Sequence, residues 1–250
     1  MHIRISPNVR SCPGDCINVV LMGDTHEYHR DVGVPDGDLL IYVGDITRRS
    51  FSSRAVEDFD EWLGQLPHRW KVVIPGNHDY GFADPSWQNL ITNAILLIND
   101  GVELLGLKIW GTPITQVDHG FFGGETAADR EGQFKRIPAD TDLLISHGPP
   151  YGILDREYNS MNPQGCRELL DAVHRVKPRL HAFGHIHGGY GVAQVGRTSF
   201  VNAAVAGCHG KPEKNPLLLC IPLRLSSEES GFKSTRVKST SDVLADVCSS

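Results

Sequence analysis

Val72-Val73-Ile74-Pro75-Gly76-Asn77-His78-Asp79 sets a short apolar run directly against a turn carrying an amide, an imidazole and a carboxylate. The run lacks the strict alternation of a half-exposed strand, so it reads as one buried on both faces. Four other stretches have the same form. Ile17–Met22 leads into Gly23-Asp24-Thr25-His26, and Leu39–Val43 leads into Gly44-Asp45. Leu143–Ile145 leads into Ser146-His147-Gly148-Pro149-Pro150, and Leu180–Phe183 into Gly184-His185-Ile186-His187-Gly188. Ligands of open parallel sheets bind beyond the carboxyl ends of the strands. Five such ends side by side would gather groups that are far apart in sequence.

The gathered groups are the carboxylates Asp24 and Asp45, the amide Asn77, and the imidazoles His26, His147, His185 and His187. No cysteine joins them, which suits Mn, Fe or Zn in an oxygen and nitrogen site rather than a thiolate-held structural zinc. Seven ligands exceed what one ion can use while still accepting water and substrate. Two ions sharing a carboxylate fit better, and such a pair is suited to in-line attack on phosphorus.

Composition narrows the class. The chain has 250 residues, 24 Lys plus Arg against 30 Asp plus Glu, and a formal charge of −6. That size suits one large α/β domain, and the negative balance argues against a nucleic-acid partner. With 40% hydrophobic and 22% charged residues, the chain is globular in type. No apolar run approaches the roughly 18 residues that a membrane span needs, so no membrane partner is expected. Six cysteines are too few for a disulfide scaffold. Residues 1–15 lack the apolar core of a secretory signal, and a cytoplasmic, reducing location is the expectation.

Two helices are legible. Arg54–Leu66 places Val56, Phe59, Trp62, Leu63 and Leu66 on one face before Pro67, and Cys166–Val176 does the same with Leu169, Leu170, Val173 and Val176 before Pro178. Ala94–Trp110 reads as a run, a turn at Asn99-Asp100-Gly101 and two short strands, a hairpin-type insert between two halves of a parallel core. Gly111–Ile137 yields no element. Residues 1–223 form the expected domain, and the Ser- and Thr-rich residues 224–250 a tail.

The motif series Asp-x-His, Gly-Asp, Gly-Asn-His-Asp, His and Gly-His-x-His, as it stands here, resembles the calcineurin-like metallophosphoesterase superfamily. The likeness runs from Ile17 to Leu223. Within that superfamily the chain is most similar to small metallophosphoesterase-domain proteins related to class III cyclic-nucleotide phosphodiesterases. The segments carrying this closer likeness are Glu61-Trp62-Leu63-Gly64-Gln65-Leu66-Pro67-His68, His147-Gly148-Pro149-Pro150 and Phe183–Gly191. The resemblance implies an α/β fold, a four-layer αββα sandwich with the metal site at the strand C-terminal ends. It implies one divalent ion, with Mn the leading candidate, held by Asp24, His26, Asp45 and His187. A second would be held by Asp45, Asn77, His147 and His185, with Asp45 bridging. His78 would face the scissile phosphate as the catalytic residue rather than a ligand.

The expected activity is metal-dependent hydrolysis of small phosphodiesters, cyclic nucleotides among them, by a hydroxide bridging two ions. His78 would act on the leaving oxygen, with Asp79 either orienting that imidazole or serving the turn. Arg48 and Arg49 are candidates to reach a phosphate, and Phe121, Phe122 and Tyr151 to stack on a base. Ile46-Thr47-Arg48-Arg49-Ser50 departs from the Asp-Arg-Gly that the family's Ser/Thr protein phosphatases carry, which argues against that activity. A nuclease, a phosphomonoesterase and a non-catalytic binding protein are the alternatives. The first lacks a basic groove, and the last would be expected to have lost a ligand position.

Overall fold

The computed structural model describes residues 4–5, 16–48, 52–116, 122–123 and 126–222. The first sheet is built on three parallel strands, β2 (Cys16–Met22), β3 (Leu39–Tyr42) and β4 (Trp70–Val73). Their register sets Leu21 beside Ile41 and Ile41 beside Val72. Strand β1 (Arg4–Ile5), the short β5 (Ile95–Leu96) and the late β12 (Leu217–Pro222) complete it in the order β1-β12-β2-β3-β4-β5. The second sheet runs β10-β11-β9-β8-β7-β6. It comprises β6 (Asp100–Leu104), β7 (Leu107–Thr112), β8 (Leu143–Ser146), β9 (Leu180–Phe183), β10 (Gly191–Val195) and β11 (Thr198–Asn202).

Successive residues of a strand point to opposite faces, and this period splits each apolar run between two cores. Val19, Leu21 and Ile41 turn inward to meet Leu143, Ile145, Leu180 and Ala182 of the other sheet. Val20, Met22, Leu40 and Tyr42 turn outward against Val56, Phe59 and Leu63 of helix α1 (Ser53–Gln65). On the far side, Leu144, Phe183 and Phe200 pack against Phe134 and Leu169. Those two residues belong to α3 (Ala127–Lys135) and α4 (Arg167–Val176), the one-turn α2 (Pro85–Gln88) having preceded them. The layers are therefore helix, sheet, sheet, helix, as expected.

Two expectations need correction. The Ala94–Trp110 stretch is no insert: β5 extends the first sheet beside β4, while β6 and β7 form a hairpin whose β7 pairs in parallel with β8. It is the crossover between the sheets. Asp100 and Gly101 open β6, and the turn there reduces to Asn99 at φ 52°. The unassigned Gly111–Ile137 contains α3, started by a capping box in which Thr126 and Asp129 bond reciprocally. The expected tail at 224–250 lies outside the described residues. No helix among the described residues is long and apolar enough to cross a membrane. Cys220 is disulfide-bonded, whereas Cys16, Cys166 and Cys208 carry free thiols.

Candidate metal centre

Strands β2, β3, β4, β8 and β9 each end just before one of the polar turns. The turns are laced to each other by backbone bonds: Asp24 N–H to Gly44 O (2.8 Å), His26 N–H to Asp45 O (3.1 Å) and Gly184 N–H to His147 O (2.9 Å). Holding them costs local strain. Asp24, His26, Asp45 and His185 all occupy left-handed backbone, with φ of 57°, 47°, 55° and 67°. Such conformations are disfavoured for residues with a Cβ and concentrate at functional sites. The turns also approach too closely for side chains at two glycines. A Cβ at Gly184 would overlap Asp24 Oδ2, and one at Gly76 would overlap Asp45 Oδ1.

The seven residues singled out from the sequence converge. Asp24, His26 and His187 offer ligand atoms within 4.8 Å of one another, and so do Asp45, His147 and His185. Asp45 spans the two groups. Its Oδ1 lies 3.3 Å from His147 Nε2 and its Oδ2 3.9 Å from His26 Nε2. Asn77 Oδ1 stands 3.0 Å from His147 Nε2. His78 lies beside them, with Nε2 4.0 Å from Asp45 Oδ2 and its ring 4.9 Å from that of His26. Geometry alone also groups His78 with His26 and Asp45.

The donor set fits cations. His26, His147 and His187 point Nδ1 at the backbone oxygens of Thr47, Val43 and Gly207, at 3.3, 2.8 and 3.3 Å. Metal-ligating histidines are oriented by this kind of bond, which leaves Nε2 as a lone-pair donor. The Nε2 atoms of His26 and His187 then face each other at 3.4 Å. Two lone pairs at that distance repel unless positive charge lies nearby. Asp24 Oδ2 is buried with no hydrogen-bond partner among the described residues, another acceptor awaiting a cation.

Electrostatics agree. Burial raises the Asp24 carboxyl, but the His187 hydrogen bond and the His147 charge outweigh it and hold the group below its ordinary value. Burial also opposes ionisation of Asp45, and His147, His26 and His78 hold its carboxyl far below the usual range. Burial disfavours a charged His147, yet Asp45 raises it to about 9. Burial and the neighbouring His147 press His185 down to about 3. A proton on His147 thus occupies the place where the carboxylates call for positive charge, and a metal ion there would displace it.

Asp79 does not orient the His78 imidazole. Its carboxylate accepts from Ile46 N–H (3.1 Å), Thr47 N–H (2.7 Å) and Gly76 N–H (2.7 Å), tying the Asp45 turn to the Asn77 turn. Lys214 had no motif to announce it. Its ammonium donates to the backbone oxygens of His187 (2.7 Å), Ala204 (3.4 Å) and Ala206 (2.6 Å), bracing the His187 turn.

A cleft of about 480 Å³ opens over the centre, lined by His26, Asp45, Arg48, His78, Glu157, His185, His187, Cys208 and Gly210. Arg48 is thus placed where the sequence suggested. Phe122 and Tyr151 are not: Phe122 packs against the outer core of the first sheet, and Tyr151 lies under the Arg167 guanidinium at 3.7 Å. Arg49 and Phe121 lie outside the described residues.

Comparison with known proteins follows the same line. Residues 17–189 match the calcineurin-like phosphoesterase family. The chain is 38% identical over 230 residues to human metallophosphoesterase domain-containing protein 1, covering 81% of this chain and 70% of that protein. It is 24% identical over 158 residues to the 3',5'-cyclic-nucleotide phosphodiesterase alr5338 of Nostoc, covering 61% of this chain and 57% of the other. Among solved structures, TT1561 of Thermus thermophilus superposes with a TM-score of 0.52 at 16% identity, over 75% of this chain and 88% of that one.

Proposed function

Because the chain belongs to the calcineurin-like phosphoesterase family, we propose that it is a metal-dependent phosphodiesterase for small substrates, organised around two divalent ions. Asp24, His26, Asp45 and His187 would hold one ion, and Asp45, Asn77, His147 and His185 the other. When bound, the pair supplies Lewis acidity, which neutralises phosphate charge and acidifies water. Oxygen and imidazole donors without thiolate suit Mn first, with Fe and Zn as alternatives.

The chain's own groups divide the remaining work. Three Nδ1-anchored imidazoles arrive pre-oriented, so little reorganisation accompanies binding. His78, its side chain 27% exposed at the cleft, would donate a proton to the departing oxygen. Its backbone N–H donates to Asp45 Oδ1 at 2.9 Å, which fixes the catalytic turn to the shared carboxylate. The activity for which the Nostoc relative is named supports cyclic nucleotides as the first substrates to try.

The observation that carries this reading is the division of Asp45, with one oxygen toward His147 and the other toward His26. Asp45→Ala should therefore empty both sites together. Metal content by mass spectrometry is expected to fall from two ions per chain to below one. Hydrolysis of bis(p-nitrophenyl) phosphate is expected to drop at least about a hundredfold, in the range known for losing a principal electrostatic contributor. A variant that kept two ions, or a wild-type protein inert toward cyclic nucleotides and linear diesters alike, would overturn it.

A further inference from the structure

Most residues lining the cleft are already assigned as ion ligands or as His78. Of the rest, Arg48, Glu157, Cys208 and Gly210, Arg48 is the basic residue and Glu157 the acidic one. Lys214 stands close, but its Nζ is turned to the backbone oxygens of His187, Ala204 and Ala206 rather than to the cleft. Among the described residues that line the cleft, Arg48 and Glu157 are the basic and the acidic side chain not yet given a role.

Both are held in place. The Arg48 backbone N–H donates to Glu27 Oε1 at 3.1 Å, and its Nη1 donates to the Tyr28 hydroxyl at 2.9 Å. Glu157 Oε2 accepts from Gly188 N–H at 3.3 Å, directly beside His187. Residues 154–158 press on that turn with no room to spare. A Cβ at Gly188 would sit 2.5 Å from Tyr158 N and 2.7 Å from Arg156 O. The backbone of Glu157 is therefore fixed beside the turn that carries His187, and the Gly188 N–H bond keeps its carboxylate there.

We infer that Glu157 is a charge filter and Arg48 the oxygen-holding cation of the substrate site, so that singly charged diesters are accepted over doubly charged monoesters. The inference rests on the phosphodiesterase reading and deepens it. A diester keeps one negative charge, which Arg48 and the ion pair can share. A monoester brings a second, and a carboxylate held on the cleft wall beside the His187 turn repels it. Glu157→Gln keeps the shape and an oxygen for the Gly188 N–H but removes the charge.

The test compares bis(p-nitrophenyl) phosphate with p-nitrophenyl phosphate at about pH 8, where the monoester is doubly charged. Calorimetric binding of inorganic phosphate is compared with that of dimethyl phosphate in the same proteins. Glu157→Gln is expected to raise monoester kcat/KM relative to diester about tenfold and to tighten inorganic phosphate selectively, with metal content unchanged. Glu157→Asp keeps the charge and should keep the wild-type ratio. Arg48→Met should raise KM for both esters about tenfold with kcat nearly unchanged. An unchanged ester ratio and unchanged phosphate binding in Glu157→Gln would overturn the filter. Absence of any turnover in the wild type would instead sink the phosphodiesterase reading, and the binding comparison would still decide the role of Glu157.

Discussion

Three backbone N–H groups, of Ile46, Thr47 and Gly76, converge on the Asp79 carboxylate. Each would be a buried, unsatisfied donor without it, at about 1–3 kcal/mol apiece. Asp79→Ala is therefore expected to lower stability by about 3 kcal/mol or more, read from the urea midpoint at constant m-value. It should also weaken metal binding, because the turns bearing Asp45 and Asn77 lose their tie. Unchanged metal affinity would show that the two turns hold position independently. The sequence offered two roles for this residue, and only the chain's return path from β3 to β4 decides between them. The convergence of the seven candidate positions was legible for the opposite reason: each follows an apolar run, so its location depends on strand ends alone.

Helix α1 transmits packing toward the centre. Phe59 is fully buried and stacks edge-on against Tyr42 at 4.8 Å. The Tyr42 hydroxyl in turn bonds Thr25 Oγ1 at 2.5 Å, between Asp24 and His26. Helix α3 has a thinner attachment, with Phe134 its one buried side chain. Phe59→Ala should therefore cost about 3–5 kcal/mol, the range for a large core truncation. Thr126→Ala, which removes the α3 cap, should cost about 1 kcal/mol. Equal losses by denaturant unfolding would contradict this ordering. The same difference explains what could be read in advance. An apolar face ended by proline marked α1 and α4, whereas α3 has hardly any apolar face and only its capping box to declare it. The β6–β7 hairpin was visible as strands, but its membership in the second sheet comes from pairing with β8, a long-range fact with no local signal.

At the scale of the whole molecule, packing α3 and α4 over the outer face of the second sheet placed a titratable group where no water reaches. His181 on β9 is fully buried, its ring 5.0 Å from Phe183 and 5.7 Å from Phe200. Its Nε2 lies 2.7 Å from Ser146 Oγ, whose proton goes to Gly148 O at 2.7 Å. The imidazole is thus the donor in that bond, and its Nδ1 lacks a partner among the described residues. Burial pushes its pKa down to about 3, against about 6.5 for an exposed histidine. Between these values the unfolded chain binds a proton that the folded chain refuses, so stability falls as pH falls. The expected slope from this residue is about 1.4 kcal/mol per pH unit below about pH 6.5. His181→Leu removes the titration. Other buried histidines, His29 and His68 included, have pKa values lowered by burial and add their own slopes, but these cancel between two proteins measured alike. Urea unfolding of wild type and variant at about pH 7.5 and pH 5.5 isolates the term. The wild type should lose about 1.4 kcal/mol more than the variant over that interval. Parallel losses would mean that the imidazole gains a proton inside the fold, and that the helix-covered face of the second sheet admits water at Ser146.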